Sequence, residues 1–189
     1  MPILEPILQK KRINKVLPDI KPNSVVVDVG CDNPPKLLKL IASKMEYCIG
    51  IDEAISYSKK GNIETFNQKL NSEIKLETNS ADVITMMAVL EHLKKPKDIL
   101  KECFRILNPG GTLLITIPLK KSNIIPFISS EVILNAWSSL GLIRKEMIDQ
   151  HENYFTPTDL EALLDDVGFS KIVLQRFELG YNAYVKATK

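Results

Sequence analysis

Two acidic residues at the ends of separate apolar runs have the type and spacing suited to binding a ribose. Asp28 lies in the run 24–29, and Asp52 ends the run 46–52, 24 residues further along the chain. In nucleotide-binding parallel sheets, an acidic residue about 20 residues beyond the first strand accepts hydrogen bonds from the ribose hydroxyls. Gly30 would let such a ligand approach the backbone. A structural alternative stays open, in which Gly30 only makes a turn and both aspartates cap the helices that follow.

A second group of candidates follows the fourth apolar run. Met87 and Ala88 would lie on the rim of the same ligand site, and His92 is a candidate general base. His151 and Tyr154 precede a helix with strong capping signals, and they are a second candidate base and a candidate substrate contact. Each has a structural alternative, because methionine is most often a core residue and a lone histidine most often anchors a loop.

The elements that would position these residues alternate between short apolar runs and helical stretches. The run 24–29 is apolar almost throughout, which is typical of a strand buried on both faces of a parallel sheet. The connection 178–180 is too short for a helical crossover, so the last two strands should pair antiparallel. The pattern predicts strands at 24–29, 46–52, 63–67, 82–87, 112–117, 170–177 and 181–187, helices at 36–44, 54–60, 96–107, 130–140 and 156–168, and a turn at 108–111.

The segment 119–155 interrupts this alternation. Its apolar part, 124–137, contains the candidate substrate contact Phe127 and could be a lid, a wall of the substrate pocket, a dimer face or a membrane-surface helix. The sequence leaves these four alternatives open. We interpret residues 1–22 as a helical N-terminal extension, and because no repeat or linker is visible we expect a single domain over 1–189.

Composition restricts the classes of function. The chain has 189 residues, of which 44% are hydrophobic and 25% charged, and its net charge is +2, as in an ordinary globular domain. The small charge and the 6% aromatic content argue against nucleic acid as the main partner. Three cysteines without CxxC spacing and two distant histidines predict neither a disulfide framework nor a metal site. Charges and prolines near the N-terminus are unlike a signal peptide, so we expect a cytoplasmic protein.

Four segments together resemble the class I S-adenosylmethionine-dependent methyltransferases of the small-molecule type. VVVDVGC at 25–31 is similar to their first cofactor motif, and GIDEA at 50–54 is similar to their ribose-binding acidic motif. The stretch 80–118, with LEHL and NPGG between two strands, is the most specific, and HENYFTPTDLEALLDDVGF at 151–169 is similar to the segment before the last two strands. The family usually carries more glycines after the first one, where this chain has CDNPP at 31–35.

The resemblance implies a fold, a cofactor and a site. The fold is an α/β, Rossmann-like three-layer sandwich whose mostly parallel, seven-stranded sheet has its last strand antiparallel. The cofactor is S-adenosylmethionine (SAM), and the reaction is methyl transfer to a small-molecule acceptor by in-line displacement. The residues implied for cofactor binding are Asp28, Gly30, Cys31, Asp32, Ile51, Asp52, Met87 and Ala88; His92 and His151 are candidate catalytic residues, and Tyr154 and Phe127 candidate substrate contacts.

Three other interpretations remain beside this one. The missing glycines favour a non-catalytic relative that keeps the fold as a binding or scaffold module. A nicotinamide enzyme on a related sheet would need the three-glycine fingerprint, which Gly30 alone does not provide. A nucleic-acid methyltransferase would show salt-dependent affinity for RNA or DNA, which the mild charge does not favour. We expect a monomer or homodimer without a nucleic-acid partner, and the sequence leaves peripheral membrane contact open.

Overall fold

The described part of the chain forms eight strands and four α-helices. A computed structural model describes residues 4–71, 73–119 and 152–189. The predicted helix 130–140, Phe127 and His151 lie outside these residues. The strands are β1 (Val25–Val29), β2 (Tyr47–Asp52), β3 (Ser58–Lys60), β4 (Ile63–Asn67), β5 (Ala81–Met87), β6 (Leu107–Pro118), β7 (Ser170–Phe177) and β8 (Asn182–Thr188), and the helices are α1 (Leu4–Val16), α2 (Lys36–Ile41), α3 (Pro96–Ile106) and α4 (Pro157–Val167).

All eight strands belong to one sheet in the order β3-β4-β2-β1-β5-β6-β8-β7. The strands β4, β2, β1, β5 and β6 are parallel, and β8 lies antiparallel between β6 and β7. The central strand β1 is buried on both faces, as its four valines, interrupted only by Asp28, predict. The predicted fold class is therefore confirmed, with eight strands rather than seven.

Helices cover both faces of the sheet and make it the middle of three layers. On one face, α3 and α4 pack apolar side chains on alternate residues of β1, β5, β6 and β8. On the other face, α1 and α2 enclose a second core with the remaining residues of these strands. The carboxyl ends of the parallel strands form one edge, where ligands bind in open parallel sheets.

The predicted helix 54–60 is wrong, and its place is taken by the short strand β3. Asn67 Nδ2 donates to the carbonyls of Glu53 and Ile55 at 2.8 and 3.0 Å. Thr65 Oγ1 donates to the carbonyl of Ser56 at 2.9 Å, which holds the chain extended before β3 pairs antiparallel with β4. Side chains of β4 thus bind backbone carbonyls that would accept hydrogen bonds within a helix. The periodicity of residues 54–60 contains no information about these contacts.

The ends of α4 agree with the sequence prediction, whereas the start of β6 does not. α4 begins with a capping box, in which Thr156 Oγ1 accepts from the Asp159 backbone N–H at 3.2 Å, and it ends at Gly168 with φ +111°. The predicted turn 108–111 lies inside β6, where the pairing with β5 jumps from Leu107 to Thr112. The strand therefore begins five residues earlier than predicted, and the glycines form an irregularity within it.

Candidate functional site

The ends of β1 and β2 are tied together by backbone hydrogen bonds. The N–H groups of Gly30 and Cys31 donate to the carbonyl of Ile51 at 2.8 and 3.2 Å. The N–H of Asp32 donates to Asp52 Oδ2 at 3.0 Å. The structure thus brings together six residues that the sequence predicts for cofactor binding: Asp28, Gly30, Cys31, Asp32, Ile51 and Asp52.

Asp52 is half-buried at the tip of β2 and shapes both neighbouring turns. Besides the bond from Asp32, its Oδ1 accepts from the N–H of Ala54 at 2.8 Å. The carboxylate therefore has the capping role that the sequence left open, although it caps a turn rather than a helix. Each oxygen keeps a further lone pair with which to accept from a ligand hydroxyl.

Asp28 is a fully enclosed carboxyl group with one unused oxygen. Its side chain is 1% exposed, and Oδ1 accepts from Thr85 Oγ1 at 2.6 Å. Oδ2 is buried and has no partner among the described residues. Burial, with the charges of Asp32 and Asp52, raises the pKa of Asp28 to about 7. Asp28 therefore carries a proton for much of its time near neutral pH, and it does not cap a helix.

Gly30 is required by its neighbour Val89 and by its own backbone conformation. Its φ is +76°, and a Cβ at this position would fall 2.2 Å from Val89 Cγ2. The space beside Gly30 is thus filled by a side chain of the loop after β5. Gly30 makes the turn after β1 and packs against the loop after β5. The structural role that the sequence left open for Gly30 is therefore confirmed.

Gly30→Ala should destabilise the protein by about 1–2 kcal/mol, because it adds a strained left-handed residue and a clash. Denaturant unfolding measures the change. The double variant Gly30→Ala/Val89→Ala is the control, since it removes the clash but keeps the strain. A Gly30→Ala protein as stable as the wild type would contradict this packing.

Met87 and Ala88 lie half-buried at the end of β5, where the sequence places them. The N–H of Ala88 donates to the carbonyl of Thr116 at 2.7 Å, and Ala88 has a positive φ of 55°. This turn directs the chain away from the sheet at the same edge as Asp28 and Asp52. Thr116 Oγ1 is buried there without a partner among the described residues.

Helix α1 closes over the β1 loop. Gln9 Nε2 donates to Asp32 Oδ2 at 2.6 Å, and Lys36 Nζ donates to Gln9 Oε1. Burial and the charge of Asp52 raise the pKa of Asp32, while Lys36 and Arg12 oppose that rise. The side chain of Asp32 is thus held by α1, which the sequence analysis did not connect with the site.

Arg12 lies close enough to Glu91 and Asp32 to act on both electrostatically, and sequence reasoning missed both Arg12 and Glu91. Glu91 is 2% exposed, and its Oε2 has no partner among the described residues. Arg12 Nε is likewise buried without a partner, and the guanidinium makes no ion pair with a described residue. Burial raises the pKa of Glu91 to about 7, against the opposing influence of its own backbone and of Arg12. A carboxyl group between Leu90 and a second leucine at Leu93 was the signal that could have indicated Glu91.

The other predicted residues lie close to Glu91 along the chain. His92 follows it in a short 3-10 turn, and its Nε2 is 3.9 Å from Glu91 Oε1. The N–H groups of Glu152 and Asn153 donate to the Glu91 carbonyl at 2.9 and 3.0 Å, which places half-exposed Tyr154 beside this turn. The edge therefore joins the candidate base His92 and the candidate substrate contact Tyr154 to the loops around Asp28. The catalytic and binding roles of these residues stay predictions.

Cys31 is a packed side chain rather than a reactive one. It is buried, and burial together with the neighbouring Asp28 raises the pKa of its thiol far above the usual range. Because the thiolate is the nucleophilic form, this cysteine stays inert near neutral pH. The three cysteines form no disulfide.

Comparison with known proteins identifies the class. Residues 7–174 match the family model described as a methyltransferase domain. The chain is 30% identical over 115 residues to a tRNA U34 carboxymethyltransferase of Desulfotalea psychrophila, covering 56% of this chain and 35% of that protein. It is 26% identical over 160 residues to a ubiquinone biosynthesis O-methyltransferase of Idiomarina loihiensis, covering 79% and 63%. A solved S-adenosylmethionine-dependent methyltransferase from Mesorhizobium loti shares the fold, with a TM-score of 0.71, 15% identity and coverage of 96% and 98%.

The chain belongs to the methyltransferase domain family, in agreement with the resemblance of its sequence to the SAM-dependent methyltransferases. SAM is the cofactor of that class. The chain spans between about one third and two thirds of the length of the curated relatives given above. No α-helix of the described residues has both the length and the apolar character needed to cross a membrane.

Proposed function

We propose that this chain transfers the methyl group of SAM to a small-molecule acceptor. The observation that carries the proposal is that several buried polar atoms near the carboxyl edge, among them Arg12 Nε, Asp28 Oδ2 and Glu91 Oε2, have no partner among the described residues. Leaving a buried polar group without a hydrogen bond costs about 1–3 kcal/mol, so these atoms are the expected contacts of a polar ligand. A guanidinium, carboxyl groups and the half-buried Asp52 suit a ligand that combines a carboxylate, an ammonium group and ribose hydroxyls.

Each residue contributes a distinct contact in this proposal. Asp52 accepts from the ribose hydroxyls, and Arg12 holds the carboxylate of the methionine end. Asp28 orders the β1 loop through Thr85 and offers Oδ2 to a ligand donor. Met87 and Ala88 line the rim, with the CDNPP bend at 31–35 closing the opposite side. When bound, SAM supplies a methyl group that its sulfonium already activates.

The chain's contribution to catalysis is mainly positional. Holding two reactants in line supplies roughly 7–11 kcal/mol of barrier reduction, and a well-placed base adds about 10²–10⁴-fold. His92 lies 31% exposed beside the site and is the candidate that takes a proton from an acceptor hydroxyl. For an acceptor that carries no proton at the reacting atom, no base is needed.

Two relatives favour different acceptors. The match to the ubiquinone biosynthesis O-methyltransferase covers 79% of the chain, and the small net charge of +2 agrees with a small acceptor. Relatives named tRNA U34 carboxymethyltransferase match with similar coverage, up to 84% of the chain for the protein of Vibrio vulnificus, so the small net charge is what favours the small acceptor. Transfer to tRNA is therefore the second candidate. Transfer of radiolabel from methyl-labelled SAM to hydroxylated aromatic compounds and, separately, to bulk tRNA would distinguish them, and label in tRNA alone would overturn the small-molecule acceptor.

Asp52→Ala should weaken the binding of S-adenosylhomocysteine (SAH) by at least about 1 kcal/mol, the scale of one lost charge-assisted hydrogen bond. Isothermal titration calorimetry measures this affinity. Because Asp52 also accepts from Asp32 and Ala54, Asp52→Asn is the matched control that keeps an acceptor for one of these bonds. Equal affinity of Asp52→Ala and the wild type would remove Asp52 from the site, and absence of binding to the wild type would refute the proposed function.

A further inference from the structure

We infer that Glu91 makes the site selective for the positively charged methyl donor over the neutral product. SAM carries a sulfonium cation, and SAH carries an uncharged thioether. A carboxylate facing the reacting end of the site favours the first over the second. The inference rests on the proposed function. In it, Glu91 favours the replacement of bound product by a new donor molecule.

The backbone around Glu91 fixes where its carboxyl group lies. Its carbonyl accepts from the N–H groups of Glu152 and Asn153, at 2.9 and 3.0 Å. Leu90 and Leu93, on either side in the same turn, are 0% and 6% exposed. The turn is therefore anchored in the core and bound to the segment that leads into α4. Glu91 follows the rim residues Met87 and Ala88 by only a few positions, and its carboxyl group is buried in the turn that begins at this edge of the sheet.

The unused oxygen of Glu91 is suited to a cation supplied by a ligand. Glu91 is 2% exposed, and the absence of a described partner for Oε2 means that its ionised form is poorly compensated. Three described groups bear on it: Arg12 from α1, His92 within its own turn, and Glu152, which contacts it through the backbone alone. A cation at this site would stabilise the carboxylate, and the carboxylate would in turn stabilise the cation.

Arg12 provides an internal comparison. Donor and product carry the same carboxylate, ammonium and ribose groups, so a contact from Arg12 to the carboxylate strengthens the binding of both. Only the charge at sulfur differs between the two ligands. Loss of Arg12 should therefore reduce both affinities together, whereas loss of the Glu91 charge should reduce the affinity for the donor.

The experiment measures the affinities of SAM and SAH by calorimetry for the wild type, Glu91→Gln, Arg12→Met and Glu152→Gln. In Glu91→Gln we expect the ratio of donor affinity to product affinity to fall by about tenfold, the scale of a lost charged contact, while product affinity stays within about twofold. Arg12→Met should weaken both ligands by the same factor. Glu152→Gln removes an exposed neighbouring carboxylate and should leave the ratio unchanged.

Proton release gives a second readout that a purely structural role would not change. Because burial raises the pKa of Glu91 to about 7, donor binding near neutral pH should release a fraction of a proton that product binding does not release in the wild type. Titrations in two buffers of different ionisation enthalpy measure this difference, which should vanish in Glu91→Gln.

The outcomes separate the inference from the proposed function. If the wild type binds neither ligand, the proposed function fails. If the wild type binds both and the affinity ratio is the same in Glu91→Gln, or if both affinities fall equally in that variant, the inference is overturned and the proposed function stands. A thermal unfolding curve of each variant confirms that it is folded.

Discussion

Asp28→Asn is expected to remove a large part of the pH dependence of folding stability. Burial raises the pKa of Asp28 from 3.8 to about 7, so between these values the folded protein binds a proton that the unfolded chain releases. Stability therefore falls as the pH rises through this window. The full difference is on the order of 4 kcal/mol for this single group.

Asparagine keeps the contact of Asp28 while removing the titration. Its side-chain oxygen still accepts from Thr85 Oγ1, and its amide nitrogen would replace the unused Oδ2. At pH 8 and above, the variant should be more stable than the wild type by about 1–3 kcal/mol, because a buried amide without a partner costs less than a buried carboxylate without one. At pH 5, where Asp28 is protonated, the two proteins should have similar stability.

Denaturant unfolding from pH 5 to 9, in the absence of ligand, measures this difference. The control is Glu161→Gln, which neutralises an exposed carboxylate on α4. Glu91→Gln should flatten a further part of the curve, since burial also raises the pKa of Glu91 to about 7. A parallel shift of the Asp28→Asn curve across all pH values would show that Asp28 is ionised in the folded protein.

The positions of the strands near the site along the chain could be predicted because each strand carries its own local signal. The valines of β1, interrupted only by Asp28, are typical of a buried parallel strand, and the short connection before β8 forces an antiparallel pair. In 54–60 the decisive contacts come from outside the segment, from Thr65 and Asn67 on β4. No periodicity within 54–60 contains that information, which is why the helix prediction was wrong and the strand count one too low.

Some residues of the candidate site could likewise be predicted from local sequence, and others could not. The grouping of Asp28, Gly30 and Asp52 follows from parallel strands ending at one edge, and the sequence predicts it. Arg12 could not be distinguished from the lysines around it, because what sets it apart is the packing of α1 against Asp32 and Glu91. Sequence motifs therefore indicated the strand ends of this site, whereas the side chains contributed by α1 required the fold.

Arg105→Met is expected to destabilise the protein by about 3 kcal/mol. Arg105 binds backbone carbonyls of the irregular segment between β4 and β5 that are not bonded within a helix or strand. Its guanidinium donates to the carbonyls of Ile74 and Leu76 at 3.0 and 2.9 Å and to Thr78 Oγ1 at 3.2 Å. It also pairs with Glu102, whose Oε2 accepts from the N–H of Ile74 at 3.0 Å. Hydrogen bonds to charged groups contribute about 1.5–3 kcal/mol each, and the side chain is 32% exposed, so the total is well below their sum.

The loss of stability in Arg105→Met should first appear as local opening of residues 73–80 rather than as unfolding of the whole protein. Ile74 is 0% exposed in the core cluster, and its backbone N–H and carbonyl are held by Glu102 and Arg105. Hydrogen exchange of the backbone amides at 73–80 should accelerate in Arg105→Met more than exchange in β1 or β5, while Lys101→Met, an exposed change one turn earlier on α3, should leave it unaltered. Glu102→Gln should add little to Arg105→Met, since both break the same network. Unchanged exchange at 73–80 would mean that apolar packing of Ile74 alone holds this stretch, and that its irregular backbone needs no charged clamp.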